Sequence, residues 1–161
     1  MTEEHWLTEP QLRAWMRFVA VLELLPGVLD SQLQRDAELS HFDYFVLAML
    51  SEAPERTLRM TALSDQTHAT LPRLSHVVAR LERRGLVQRT PCPEDGRATN
   101  ASLTEAGWQK VVASAPGHVR NVRKNVIGPL SDEQISQLEE ISRALLHQLD
   151  PGNRMLLREE Q

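Results

Sequence analysis

The sequence predicts a mainly α-helical fold with a small β-hairpin wing: a winged helix-turn-helix flanked by long helices. Three observations predict it. Apolar residues recur at three- and four-residue steps along most of the chain, the period of a helix buried on one face. Two short β-prone runs, residues 86–90 and 98–103, enclose a stretch dense in turn residues, 91–97. A short helical segment and a longer, arginine-rich one directly precede that hairpin.

The elements follow in order. Leu12, Trp15, Met16, Val19, Leu22, Leu25, Leu29 and Leu33 form one apolar stripe, so a long helix is expected over about 10–36. Pro10 suits its start, and Pro26-Gly27 is expected to kink or break it. Ser40, with Asp43 three residues on, resembles a capping box for a helix over 41–52 that buries Phe42, Phe45, Val46, Met49 and Leu50. Residues 57–59 read as a short strand and 60–66 as a short helix. Thr70 caps the next helix, 71–84, which Gly85 ends. Thr104 caps a long helix interrupted by Pro116-Gly117 and ended by Gly128-Pro129. Ser131 and Gln134 make a capping box for a last helix reaching about Gln148, with Ile135, Leu138, Ile141 and Leu145 as its apolar stripe.

Composition excludes several classes. The chain has 161 residues, 41% of them hydrophobic, enough for a core without staples. The single cysteine, Cys92, allows no internal disulfide and no multi-cysteine zinc site. No apolar run reaches the roughly 18 residues of a membrane span, and residues 1–7 carry two glutamates and no basic leader. A cytoplasmic protein without membrane attachment is expected. His5, His41, His68, His76, His118 and His147 show no metal-ligand spacing, and no P-loop, nucleophile elbow or dinucleotide fingerprint occurs. No cofactor, no metal and no enzymatic activity are expected.

Charge is unevenly placed. The net charge is −4, yet residues 70–97 hold six arginines against three acids, a local +3 that leaves −7 elsewhere. A basic segment on an acidic body suits a nucleic-acid reader. A solvated, arginine-rich helix face would look the same by charge alone.

Helical spacing sharpens the choice. Leu74, Val77, Val78 and Leu81 share one face of the 71–84 helix, which leaves Arg73, Ser75, His76, Arg80 and Arg83 toward the other. Arginine binds guanine edges and phosphate, and the N-terminal part of such a helix meets the bases. Arg73, Ser75 and His76 are therefore the expected base readers. Arg80 and Arg83 lie further along, suited to backbone phosphate or to a carboxylate within the protein. At the hairpin tip, Arg97 can enter a minor groove, with Asp95 expected to hold its guanidinium in an ion pair. Cys92 lies near Arg89 and Arg97, which would lower its pKa, but it has no second cysteine to resolve an oxidised form.

Three stretches together resemble the MarR (multiple antibiotic resistance regulator) family. They are Arg80-Leu81-Glu82-Arg83-Arg84-Gly85-Leu86-Val87-Gln88-Arg89, Pro93-Glu94-Asp95-Gly96-Arg97 and Leu103-Thr104-Glu105-Ala106-Gly107. The helix layout extends the resemblance over roughly residues 10–148. It implies a homodimer in which residues 1–36 and 105–150 form the dimerisation lobe. Residues 37–104 would be the winged DNA-binding domain, and 151–161 a flexible tail. It also implies binding to a palindromic site on double-stranded DNA, repression of transcription, and release by a small-molecule effector between the lobes. His76 stands where the family often has arginine, which would alter base preference and make it pH-sensitive. Trp15, Phe18 and Phe45 are candidates for an effector pocket, though residues so spaced are more often plain core. The competing reading is a winged-helix module that binds a protein partner and no DNA, motivated by the −7 outside the basic segment.

Overall fold

Five of the six α-helices among the described residues start at a hydroxyl side chain. Thr8, Ser40, Thr70, Thr104 and Ser131 each accept the backbone N–H three residues on, satisfying an amide that the helix itself cannot. The computed structural model describes residues 6–155. Its helices are α1 (Glu9–Ala37), α2 (His41–Glu52), α3 (Met60–Thr67), α4 (Leu71–Arg83), α5 (Glu105–Val122) and α6 (Asp132–Leu149). The strands are β1 (Thr57–Arg59), β2 (Val87–Pro91) and β3 (Thr99–Leu103). They form one antiparallel sheet in the order β1-β3-β2, with Arg59 opposite Asn100 and Arg89 opposite Ala101. The expected order of elements, including the short strand at 57–59, is the observed one.

The core lies within the helix-turn-helix and against the sheet. Val46, Leu47 and Leu50 of α2, Leu63 of α3, and Leu74, Val78 and Leu81 of α4 are buried together with Val87, Ala101 and Leu103 of the strands. Leu47 replaces Phe42, Phe45 and Met49 as a fully buried residue of α2, and those three are only half-buried. The α2 helix meets α1, α3 and α5, so its buried arc is set by three neighbours and not by one face.

Two glycines of the carried motif have physical jobs. Gly85 has φ +72°, the left-handed conformation that lets α4 stop and the chain turn into β2. A Cβ on Gly107 would lie 2.1 Å from the Leu86 carbonyl oxygen, so only glycine lets the first turn of α5 sit on that backbone. Thr104 ties the same corner together. Its hydroxyl donates to the Gly85 carbonyl at 2.6 Å, its amide donates to the Leu86 carbonyl at 3.1 Å, and it caps Gly107.

The helices differ from expectation at their prolines. The α1 helix runs unbroken through Pro26-Gly27, and α5 runs unbroken through Pro116-Gly117. Proline removes one hydrogen bond of the ladder. In α1 the loss is offset by packing on α5, where Asn121 donates its side-chain amide to the Val28 carbonyl at 3.2 Å. The end of α5 instead loosens into a π-helical turn, Arg123–Ile127, closed by the Gly128 amide on the Arg123 carbonyl.

Much of the α1 stripe is not core. Leu29 and Leu33 are buried, whereas Trp15 is 51% and Phe18 42% exposed. No residue of α6 is buried in the isolated chain. Of the expected tail, residues 151–155 turn back on Asp150, whose carboxylate accepts the Met155 amide at 2.8 Å. The remainder, 156–161, lies outside the described residues. Among those described, no helix is long and apolar enough to cross a membrane.

Candidate nucleic-acid interface

The outward face of α4 and the β2–β3 hairpin stand beside each other, with an open groove of about 310 Å³ between them. Ser75 of α4, Arg89 of β2 and Arg97 of the hairpin tip line it, joined by Arg59, Thr61 and Thr99. The structure thus brings Ser75 and Arg97 to one cleft. Arg73 and His76 are exposed on α4. Thr70 caps the helix at Arg73, and Pro72 in its first turn has no amide to leave unsatisfied.

The arginines of the basic segment divide by what already holds them. Arg80 is bound to the buried carboxylate of Asp43 in α2, the second of the two partners open to it from sequence. Arg84 donates to the Glu38 carbonyl at the end of α1, 2.9 Å away. Arg89 grips Glu82 through its amide at 2.9 Å and its guanidinium at 3.0 Å, pinning β2 to α4. These bonds hold the Glu82 carboxyl below its ordinary pKa, the Arg89 amide contributing most. Arg73 stacks on the Phe42 ring, 4.1 Å from its centroid. Arg83 and Arg97 are exposed, with no carboxylate among the described residues within 4.0 Å.

The tip differs from expectation in one bond. Asp95 does not pair with the Arg97 guanidinium. Its carboxylate accepts the Arg97 backbone amide at 3.1 Å, a local turn that a two-residue separation favours over the longer reach to a flexible side chain. Backbone bonds from Cys92 to Ala98 at 2.8 Å and from Ala98 to Asp95 at 2.9 Å close the loop. The guanidinium of Arg97 is left free. Cys92 is buried beneath this tip. Its thiol is shifted down, first by the Glu94 amide, then by the Asp95 amide and the charge of Arg59, and not by Arg89 or Arg97.

The first turn of α2 connects this surface to the rest of the chain. Phe42 and Asp43 hold Arg73 and Arg80, while His41 and Tyr44 meet His118 of α5, at ring-centroid distances of 6.0 and 4.7 Å. Asp30 of α1 accepts the His41 amide at 2.9 Å. Burial pushes both imidazoles toward the neutral form. Asp30 partly opposes this at His41, and the neighbouring His41 reinforces it at His118.

The sequence profile of the MarR family matches residues 39–98, from the start of α2 past the hairpin tip. Sco3205, a MarR family transcriptional regulator from Streptomyces coelicolor solved in complex with DNA, is 44% identical. It superimposes with a TM-score of 0.87 over 91% of this chain and 95% of its own. This chain belongs to the MarR family. AbsC, a MarR family regulator from Streptomyces coelicolor, gives a TM-score of 0.85 at 34% identity over 90% of this chain and 97% of its own. The HTH-type transcriptional repressor IacR of Pseudomonas putida is 29% identical over 91% of this chain and 78% of its own. The mostly helical architecture with a small antiparallel sheet is that of MarR winged-helix structures. These MarR relatives are transcriptional regulators and not enzymes.

Sequence reasoning missed Arg59, Thr61 and Thr99 at this MarR protein's groove, and Phe42 as the support of Arg73. Arg59 reaches the groove because β1 pairs with β3, a contact across 41 residues that leaves no local trace. The one available signal was the β-prone triplet Thr57-Leu58-Arg59 just before a helix.

Proposed function

We propose that this protein binds double-stranded DNA as a homodimer. In this reading, α4 enters the major groove and the hairpin wing enters an adjacent minor groove. The observation that carries it is the pairing of an exposed, arginine-bearing helix face with a wing tip whose Arg97 guanidinium has no carboxylate partner among the described residues. Arg73, Ser75 and His76 are the base-reading set, and Arg97 is the minor-groove contact. Asp95 acts by shaping the tip. Arg80 acts mainly by fixing α4 on α2.

The dimer reading is supported by apolar faces that the single chain leaves bare. Met16 and Leu22 of α1 and Ile141 and Leu145 of α6 are at least 41% exposed, large apolar side chains on the two helices that a second copy would cover. Two copies would then meet two half-sites of a palindrome.

The regulatory reading is repression relieved by a small-molecule effector. The repressor half is supported by the name of the relative IacR. The effector half is supported by the seam between α1, α2 and α5, where buried Nδ1 of His118 has no hydrogen-bond partner among the described residues.

The test is binding to the DNA upstream of its own coding sequence at moderate salt. Arg73→Ala and Arg97→Ala should each cost about 1–3 kcal/mol. Unchanged affinity in both variants would defeat the docking reading, and retention of no DNA at all would favour a protein partner instead.

A further inference from the structure

The groove between α4 and the wing has chemistry of its own. Three arginines and three hydroxyl residues line it, and none of its lining side chains is acidic. Arg89 is locked by Glu82. Arg97 is unpaired. Arg59 pairs loosely with Glu94, at 3.7 Å, beyond hydrogen-bond length, and that glutamate is itself 86% exposed; Arg59 also contacts the Cys92 thiol, an uncharged group. Arg59 therefore keeps donors for another anion. The first-turn residues Met60 and Thr61 of α3 lie at the same rim, and that helix start carries no side-chain cap.

Geometry selects the anion. If α4 occupies a major groove and the wing the neighbouring minor groove, one sugar–phosphate strand separates them. It must cross the gap between the two elements, and that gap is this groove. We infer that the groove seats one phosphodiester strand of the duplex, with Arg59 and the hydroxyls of Thr61 and Thr99 as its contacts. The inference rests on the DNA reading above. Glu94 occupies Arg59 in the free protein and yields it to phosphate, a stronger and doubly hydrogen-bonded partner for a guanidinium.

The test follows binding of the full chain by fluorescence anisotropy over a salt series. It uses two duplexes of about 30 base pairs, one from upstream of its own coding sequence and one scrambled at equal composition. Arg59→Ala should weaken both by the same factor, about tenfold, and reduce the salt slope by about one unit. Glu94→Gln removes the carboxylate that competes for Arg59 and should tighten both equally. If Arg59→Ala changes neither affinity nor slope while Arg73→Ala and Arg97→Ala weaken binding, the inference is overturned and the DNA reading stands. Loss confined to the upstream duplex would also overturn it, since a phosphate contact carries no sequence preference. If all three alanine variants bind as the parent does, the DNA reading fails and takes the inference with it.

Discussion

The guanidinium carbon of Arg73 lies over the ring of Phe42, 4.1 Å from its centroid, and so the foremost arginine of α4 is aimed by a residue of α2. The ring attracts the cation through its quadrupole and limits the rotamers of a long side chain. Phe42→Leu keeps apolar bulk and removes the ring. It should lower affinity for upstream DNA by about 0.5–1 kcal/mol, roughly two- to fivefold, with little effect on the scrambled duplex. An equal loss on both duplexes would show that Phe42 does not aim a base contact.

Arg80 and Asp43 make the complementary case, a charge pair whose role is structural. Asp43 is buried and also accepts the Ser40 amide at 2.9 Å as part of the α2 capping box. Arg80→Ala strands that carboxylate. It should destabilise folding by about 2–3 kcal/mol, less than a fully enclosed pair because Arg80 itself reaches solvent. Urea unfolding measures this. A drop in the salt slope of DNA binding with unchanged stability would make Arg80 a phosphate contact instead.

The His41–His118 pair predicts a pH dependence. Burial depresses both imidazole pKa values below the ordinary 6.5, so the unfolded chain binds more protons than the folded one. The contribution is fully present above about pH 6.5 and is lost as pH falls through the depressed folded values. Denaturation midpoints measured between about pH 7.5 and 5 should fall toward acid, and His41→Gln with His118→Gln should flatten that part of the curve. The lowered carboxylates of Glu82 and Glu105 lose their contribution in a separate, more acidic window.

Gly107→Ala tests the corner between the wing and α5. The added methyl would meet a backbone oxygen that cannot swing away. The variant should lose at least about 2 kcal/mol and several degrees of melting temperature. Gly27→Ala, where a Cβ meets nothing within 4 Å, is the control and should melt at or above the parent.

Ile141 and Leu145 test the dimer. They are 57% and 41% exposed on a helix with no buried residue. Ile141→Glu combined with Leu145→Glu should convert the sedimenting species from dimer to monomer. An unchanged dimer mass would remove α6 from the interface.

What was readable in advance had local causes. Caps at Ser40, Thr70, Thr104 and Ser131, the positive φ of Gly85 and the turn chemistry of residues 91–97 act within a few residues, so element order and hairpin follow from the chain itself. The wing and the basic helix were legible for the same reason. No break occurs at Pro26 or Pro116, because packing of α1 on α5 outweighs one lost hydrogen bond.

The winged helix-turn-helix, with Arg73 to His76 on one element and Arg97 on the other, was determined by sequence alone. Only the tertiary structure decided which arginines remain available. Arg80 finds Asp43 across 37 residues and Arg84 finds Glu38 across 46, so nominally equal charges become structural ties. Arg59, unremarkable in sequence, is carried to the groove by strand pairing. Backbone propensity is a property of neighbours along the chain, whereas the partner of a charge is settled by neighbours in space.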